Sequence, residues 1–153
     1  MYELAKTLHI LFSTLLFGTG LGTAWYMWQA DRSGHPTVIF ITARHVVWAD
    51  YLFTLPAVVF QPLSGLWLAE LVGYRPNEPW LLASYVLYAI TGACWIPVVW
   101  LQTQMRNLAG NAVREGLPLP PLYHRYMRFW FILGWPAFLS VIAIFFLMVA
   151  RPA

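Results

Sequence analysis

Apolar side chains fall into four long runs, at roughly 4–28, 47–72, 81–105 and 128–150. A helix needs about 20 mostly apolar residues to cross a bilayer, and each run is long enough. The pattern therefore predicts an all-α fold, a four-helix transmembrane bundle in which residues 1–153 form a single integral membrane domain. Three connections punctuate it: ADRSGHPT (30–37), GYRPNEPW (73–80) and AGNAVREGLPLPPLYHR (109–125), each rich in Gly, Pro and polar residues. None has room for a water-soluble domain. The second element is too long for the bilayer if helical from Thr37 to Gly73, because at about 1.5 Å per residue it exceeds the roughly 30 Å hydrocarbon core. Its first turns, TVIFITARHVV, are expected in or below the membrane interface, and Pro56 and Pro62 are expected to bend the remainder of the span.

Composition fixes the solvent. The 153 residues are 60% hydrophobic, 18% aromatic and only 10% charged, with a mean hydropathy of +0.61, whereas soluble domains carry about 25% charged residues. The first and third connections with their helix ends hold Arg32, Arg44, Arg106, Arg114, Arg125 and Arg128, against Lys6, Arg75 and Arg151 on the other side. By the positive-inside rule this six-to-three asymmetry puts both termini outside. The net charge of +3 is met by a cytoplasmic leaflet of membrane lipid and calls for no nucleic acid. The first run has one basic residue near its start and no small-residue cleavage site, so it reads as a retained helix rather than a secretory signal. Cys94 is the sole cysteine, which excludes an intrachain disulfide and a thiolate metal cluster.

Helical spacing sorts the polar residues inside the runs. Asp50, Thr54, Gln61 and Ser64, with Ala57 between, share one face of the second helix and form a polar stripe expected to face the bundle interior. A carboxylate at membrane depth marks either a functional site or a tight ion pair, here with Arg44, Arg106 or Arg128. On the first helix His9, Ser13, Gly20 and Thr23 share a face, and Gly18 and Gly22 make a GxxxG expected to pack closely against a neighbouring helix. The third run offers Tyr85, Tyr88, Thr91, Trp95, Gln102 and Gln104, with no Lys or His.

Histidines are the main chemical clue. His35 lies in a turn before proline, His45 and His124 sit near the arginine-rich side, and His9 is one to two turns inside the opposite side. A b-type haem suits such a bundle: the macrocycle slots between helices, imidazoles ligate the iron, and small residues let the ring approach the backbone. His9 and His45 enter from opposite sides and cannot serve one iron. The candidates are an outer site on His9, its face kept narrow by Ser13 and Gly20, and an inner site on His45 and His124. Counting helical rise places Trp67, Glu70, Ser84, Tyr85 and Met148 near His9, and a hydrogen bond from His9 to Glu70 or a backbone carbonyl is the alternative to ligation. No His-x-x-His, Glu-x-x-His, Met-x-Met or CxxC spacing supports a metal site without porphyrin. No Ser, His and Asp at a common depth suggest a hydrolase.

KTLHILFSTLLFG, FTLPAVVFQPLSGLWL, ACWIPVVWLQTQMRNLA and RFWFILGWPAFLSVIAIFFLMVARP together resemble the bacterial inner-membrane family of unknown function numbered 2269, over nearly the whole chain. More distantly, Lys6, His9 and Ile10, then Pro56 and Gly65-Leu66-Trp67-Leu68, then Arg151-Pro152 resemble the HemJ-type protoporphyrinogen oxidases and the CopD-like copper-resistance membrane proteins. That oxidase family binds haem b, which the resemblance carries to His9, but its third helix typically bears a lysine and histidines that 81–105 lacks. What the resemblance implies is a haem or porphyrin pocket, not protoporphyrinogen oxidation. The expected function is a b-type haem protein of the bacterial inner membrane with an electron-transfer or oxidoreductase role, served by a quinone or a redox partner protein. The alternative is a non-catalytic membrane protein: a scaffold subunit of an oligomer or larger complex, or a small-solute or copper-handling component.

Overall fold

The computed structural model describes residues 1–152. These are helical apart from short connections, with no strand among them: α1 (Tyr2–Ser33), α2 (Pro36–Ala49), a π-helical turn (Asp50–Thr54), α3 (Leu55–Val72), α4 (Pro79–Glu115) and α5 (Pro121–Ala150). α2, the π turn and α3 run on as one span, so four helices are long and apolar enough to cross a membrane. The arginine-rich connections lie at one end of the bundle, called here the basic end, and the chain termini at the other.

The connections are shorter than the sequence pattern suggests. AGNAVRE (109–115) continues α4 and PLYHR (121–125) opens α5, leaving Gly116 to Pro120 as the link. Nothing in AGNAVRE opposes a helix; the stop is at Gly116, in the left-handed region at φ 64°, followed by prolines that cannot continue the helix. The same device ends α1 at Gly34 and α3 at Gly73, and a proline at the first helical position starts α2, α4 and α5. At 37 residues the second and third spans are about 55 Å long, so they project beyond the hydrocarbon at the basic end.

That projecting end holds the core. Met27, Ala30, Ile39, Ala43, Met105, Ala109 and Tyr123 are all buried together there. α4 crosses α2 so closely that a Cβ at Gly110 would sit 2.9 Å from the Phe40 ring, and the Tyr123 hydroxyl donates to Asp31 at 3.1 Å, tying α5 to α1. At the terminal end Arg151 reaches the Tyr74 hydroxyl and ring of the α3–α4 link.

The expected disturbance at Pro56 is a π turn. Pro56 has no N–H for the Leu52 carbonyl and its ring crowds that carbonyl. The helix widens ahead of it, so that the Leu55 N–H bonds to the Asp50 carbonyl, five residues back. Pro62 likewise strips the Val58 carbonyl of its helical partner, and the Tyr88 hydroxyl of α4 donates to that carbonyl at 2.5 Å. In hydrocarbon no water could replace it, so the proline creates the bond that holds α3 to α4.

Candidate functional site

Between the α1/α3 pair and the α4/α5 pair, the bundle encloses a cavity of about 510 Å³, within the size range of small-molecule sites. Three glycines on three helices carve it: Gly20, Gly92 and Gly134 all line the space, and a Cβ at any of them would meet no atom within 4 Å. Its basic-end floor is sealed by the core around Met27 and Met105. It opens sideways between α1 and α5, where the lining residues Trp25 and Trp135 are 54% and 55% exposed. The same seam is bridged nearer the terminal end by Phe17, stacked on Phe138 at 5.0 Å and edge-on to Phe145 at 5.4 Å.

The walls are almost wholly apolar, and the polar groups gather at one place. Asp50, on the π turn, is 4% exposed. Its Oδ1 accepts from the Thr54 hydroxyl at 2.9 Å. Gln102 of α4 donates its amide N–H to Asp50 Oδ2 at 2.6 Å and accepts on its amide oxygen from Trp130 Nε1 of α5 at 3.2 Å, the orientation that satisfies both neighbours. One relay thus joins three spans: Trp130 to Gln102 to Asp50, with Thr54 on the carboxylate's other oxygen. Asp50 is not ion-paired to Arg44, Arg106 or Arg128; its partners are neutral hydrogen-bond donors. The cavity lining contains no Lys, Arg, His, Cys or Met.

The other sequence candidates sit elsewhere. His9 packs its ring flat enough on α3 that a Cβ at Gly65 would lie 3.0 Å from its Cε1. His9 Nδ1 is 3.1 Å from Ser64 Oγ, Ser64 Oγ donates to the Gln61 carbonyl at 3.0 Å, and Gln61 Nε2 is 3.4 Å from His9 Nε2. One tautomer serves all three contacts: Nδ1–H donates to Ser64 and the Nε2 lone pair receives the Gln61 amide. The partners lie about one turn deeper than rise counting placed them, at Gln61 to Gly65 rather than Trp67 and Glu70; Glu70 is exposed. Ser13 donates to the Ile10 carbonyl at 2.8 Å, and of the His9 face Leu16, Gly20 and Thr23 reach the cavity while His9 and Ser13 do not. The polar stripe is divided in the same way, Asp50 and Thr54 facing the cavity, Gln61 and Ser64 facing His9. The GxxxG expectation needs correcting, since a Cβ at Gly18 or Gly22 would meet nothing within 4 Å and this face makes no close helix contact within the chain.

His45 and His124 are exposed. His124 borders a second hollow of about 540 Å³ at the basic end, between Gly34, Thr37 and Gly116, whose lining does not include His45. Among the described residues no three His, Cys, Asp or Glu side chains are grouped to hold a metal ion. A haem b on His9 does not fit these residues. The Nε2 that would meet iron faces the Gln61 amide, the ring lies against Gly65, and the cavity large enough for a flat ligand presents no His, Cys or Met, while its one tyrosine, Tyr88, has its hydroxyl committed to the Val58 carbonyl.

Sequence reasoning picked out Asp50 and Thr54 but not their partners. Gln102 was visible as one of two amides, with Gln104, inside the third run. Trp130 carried no distinguishing signal among nine tryptophans, and the three glycines became informative only once their helices were seen to face one space.

A family described as predicted integral membrane protein (DUF2269) matches residues 3–152. No curated protein and no solved structure matches the chain.

Proposed function

The chain belongs to the DUF2269 family of predicted integral membrane proteins, and from that premise we propose that it is a membrane-embedded binding protein, which takes an amphipathic small molecule from the bilayer. The ligand enters sideways between α1 and α5 and sets its polar head against Asp50, Gln102 and Thr54. The observation that carries this reading is the cavity itself: apolar walls, one convergent polar cluster, and an opening toward the depth where acyl chains lie. A buried carboxylate bonded only to neutral groups is costly in such a place, which supports a role beyond holding helices together.

The cavity needs no redox centre to do this. An electron-transfer role would require a cofactor held by residues other than those lining the space, and His9, His45 and His124 do not offer one. The small-solute-handling alternative is therefore favoured over the haem oxidoreductase.

The test uses the protein in lipid nanodiscs with the neutral fluorophore N-phenyl-1-naphthylamine. Excited Trp95 and Trp130 should transfer energy to fluorophore in the cavity, above the background of lipid alone. Gly92→Leu and Gly134→Leu fill space that no atom occupies, so both should fold and both should abolish the added transfer. Equal transfer in the filled variants would overturn the proposal. So would a purified protein with a Soret band that His9→Ala removes.

A further inference from the structure

We propose that the ligand of this cavity is a lipophilic cation, an amine or quaternary ammonium carried on an apolar body; this rests on the binding reading above and specifies its substrate class.

Two observations point the same way. First, Asp50 brings a carboxylate into a lining with no Lys, Arg or His. Both its oxygens already accept hydrogen bonds, from Thr54 and Gln102, which is how an ionised carboxylate, an acceptor with no proton to give, is satisfied. Hydrogen bonds from neutral donors do not cancel its charge, and a buried charge without a counter-ion is unfavourable. A cationic head in the cavity supplies the missing charge. A neutral ligand leaves it uncompensated, and an anionic one adds repulsion.

Second, the walls of the cavity are rich in aromatic rings. Trp25, Tyr88, Trp95, Trp130 and Trp135 all border the space. The faces of such rings attract cations, most strongly where water is excluded, and quaternary ammonium groups are recognised in this way. Trp28 already shows the preference within the chain, with the Arg32 guanidinium 5.1 Å from its ring centroid. Tyr88 is held by its bond to the Val58 carbonyl and Trp130 by its bond to Gln102, so these two walls are set before a ligand arrives. Carboxylate and aromatic surface together discriminate by charge, and the apolar remainder accepts a chain or ring of loose definition.

Displacement of N-phenyl-1-naphthylamine in nanodiscs tests this with two competitors of equal shape, dodecyltrimethylammonium and the uncharged analogue bearing a tert-butyl head. The cation should compete at about tenfold lower concentration than the analogue, after correction for partition into protein-free nanodiscs. Asp50→Asn, which keeps the size and shape but removes the charge, should bring the two competitors together, and Asp50→Glu should retain the preference. If the wild-type protein prefers neither competitor, or if Asp50→Asn folds and keeps the preference, the cation assignment is wrong while the binding reading stands. If the fluorophore itself gives no cavity signal, the binding reading fails first. Should Asp50→Asn fail to fold, the wild-type comparison of cation with analogue decides the matter alone.

Discussion

Replacing His9 by alanine separates the two roles proposed for that residue. In the structure the imidazole joins α1 to α3 through the 3.1 Å contact with Ser64 and the longer 3.4 Å contact with Gln61, with its ring on Gly65. A hydrogen bond between transmembrane helices is worth about 0.6 kcal/mol on average and up to about 1.7 kcal/mol. Losing a half-buried ring from the surface of Gly65 adds roughly 1 kcal/mol, below the range for a fully enclosed side chain. His9→Ala should therefore cost about 1.5–2.5 kcal/mol, which raises the unfolding equilibrium constant about 10- to 70-fold. The assay is SDS-driven unfolding in mixed bicelles followed by tryptophan fluorescence, run as a double-mutant cycle with Ser64→Ala. The two substitutions should couple by about 0.5–1.7 kcal/mol, because each removes the same bond. Ligand binding in the cavity should change little, since His9 does not line it. Additivity within about 0.3 kcal/mol would refute the clamp.

Two further outcomes rest on the helix packing. Gly110→Ala places a methyl 2.9 Å from the Phe40 ring; it should destabilise the basic end by about 1–3 kcal/mol in the same unfolding assay, and Phe40→Leu should recover most of the loss. Pro56→Ala returns an N–H to the Leu52 carbonyl and removes the ring that crowds it, so it should leave a folded protein, whereas deleting Val59 from the regular helix should abolish folding, as read by recovery of monodisperse protein from detergent.

What could be read from the sequence and what could not divides along physical lines. Apolar run length reports a membrane span directly, because the bilayer admits few alternatives, so the four helices were legible. The face carrying Asp50 and Thr54 was legible for the same reason, since helical spacing is local. Helix ends were not: AGNAVRE has ordinary helix propensity, and only Gly116 in a left-handed conformation stops it. The π turn arises from the Pro56 ring working against the Leu52 carbonyl, an effect that a proline kink, a bulge or a helix end could each have relieved. The depth at which His9 meets α3 depends on how far each helix projects beyond its neighbour, and rise counting from assumed membrane edges cannot supply that offset. The cavity depends on relations among all four spans, and no single segment encodes it.

The same relations determine where the bundle opens. At the basic end the helices are fixed by the buried core, by the Gly110–Phe40 crossing and by Tyr123 on Asp31. Away from that end, α3 and α4 are tied by the Tyr88 bond to the Val58 carbonyl, which Pro62 cannot serve as the usual helical donor. Parting this seam would strand a backbone acceptor in hydrocarbon, at a cost of several kcal/mol. The α1–α5 seam is closed near the terminal end by the contacts of Phe17 with Phe138 and Phe145, worth about 0.5–1.5 kcal/mol each and replaceable by contacts with an acyl chain or an apolar ligand. Opening there strands no polar group. The two prolines therefore divide the work: Pro56 shapes the turn that carries Asp50 into the cavity, and Pro62 frees the carbonyl through which Tyr88 ties α3 to α4, so the proposed ligand should enter by the phenylalanine seam.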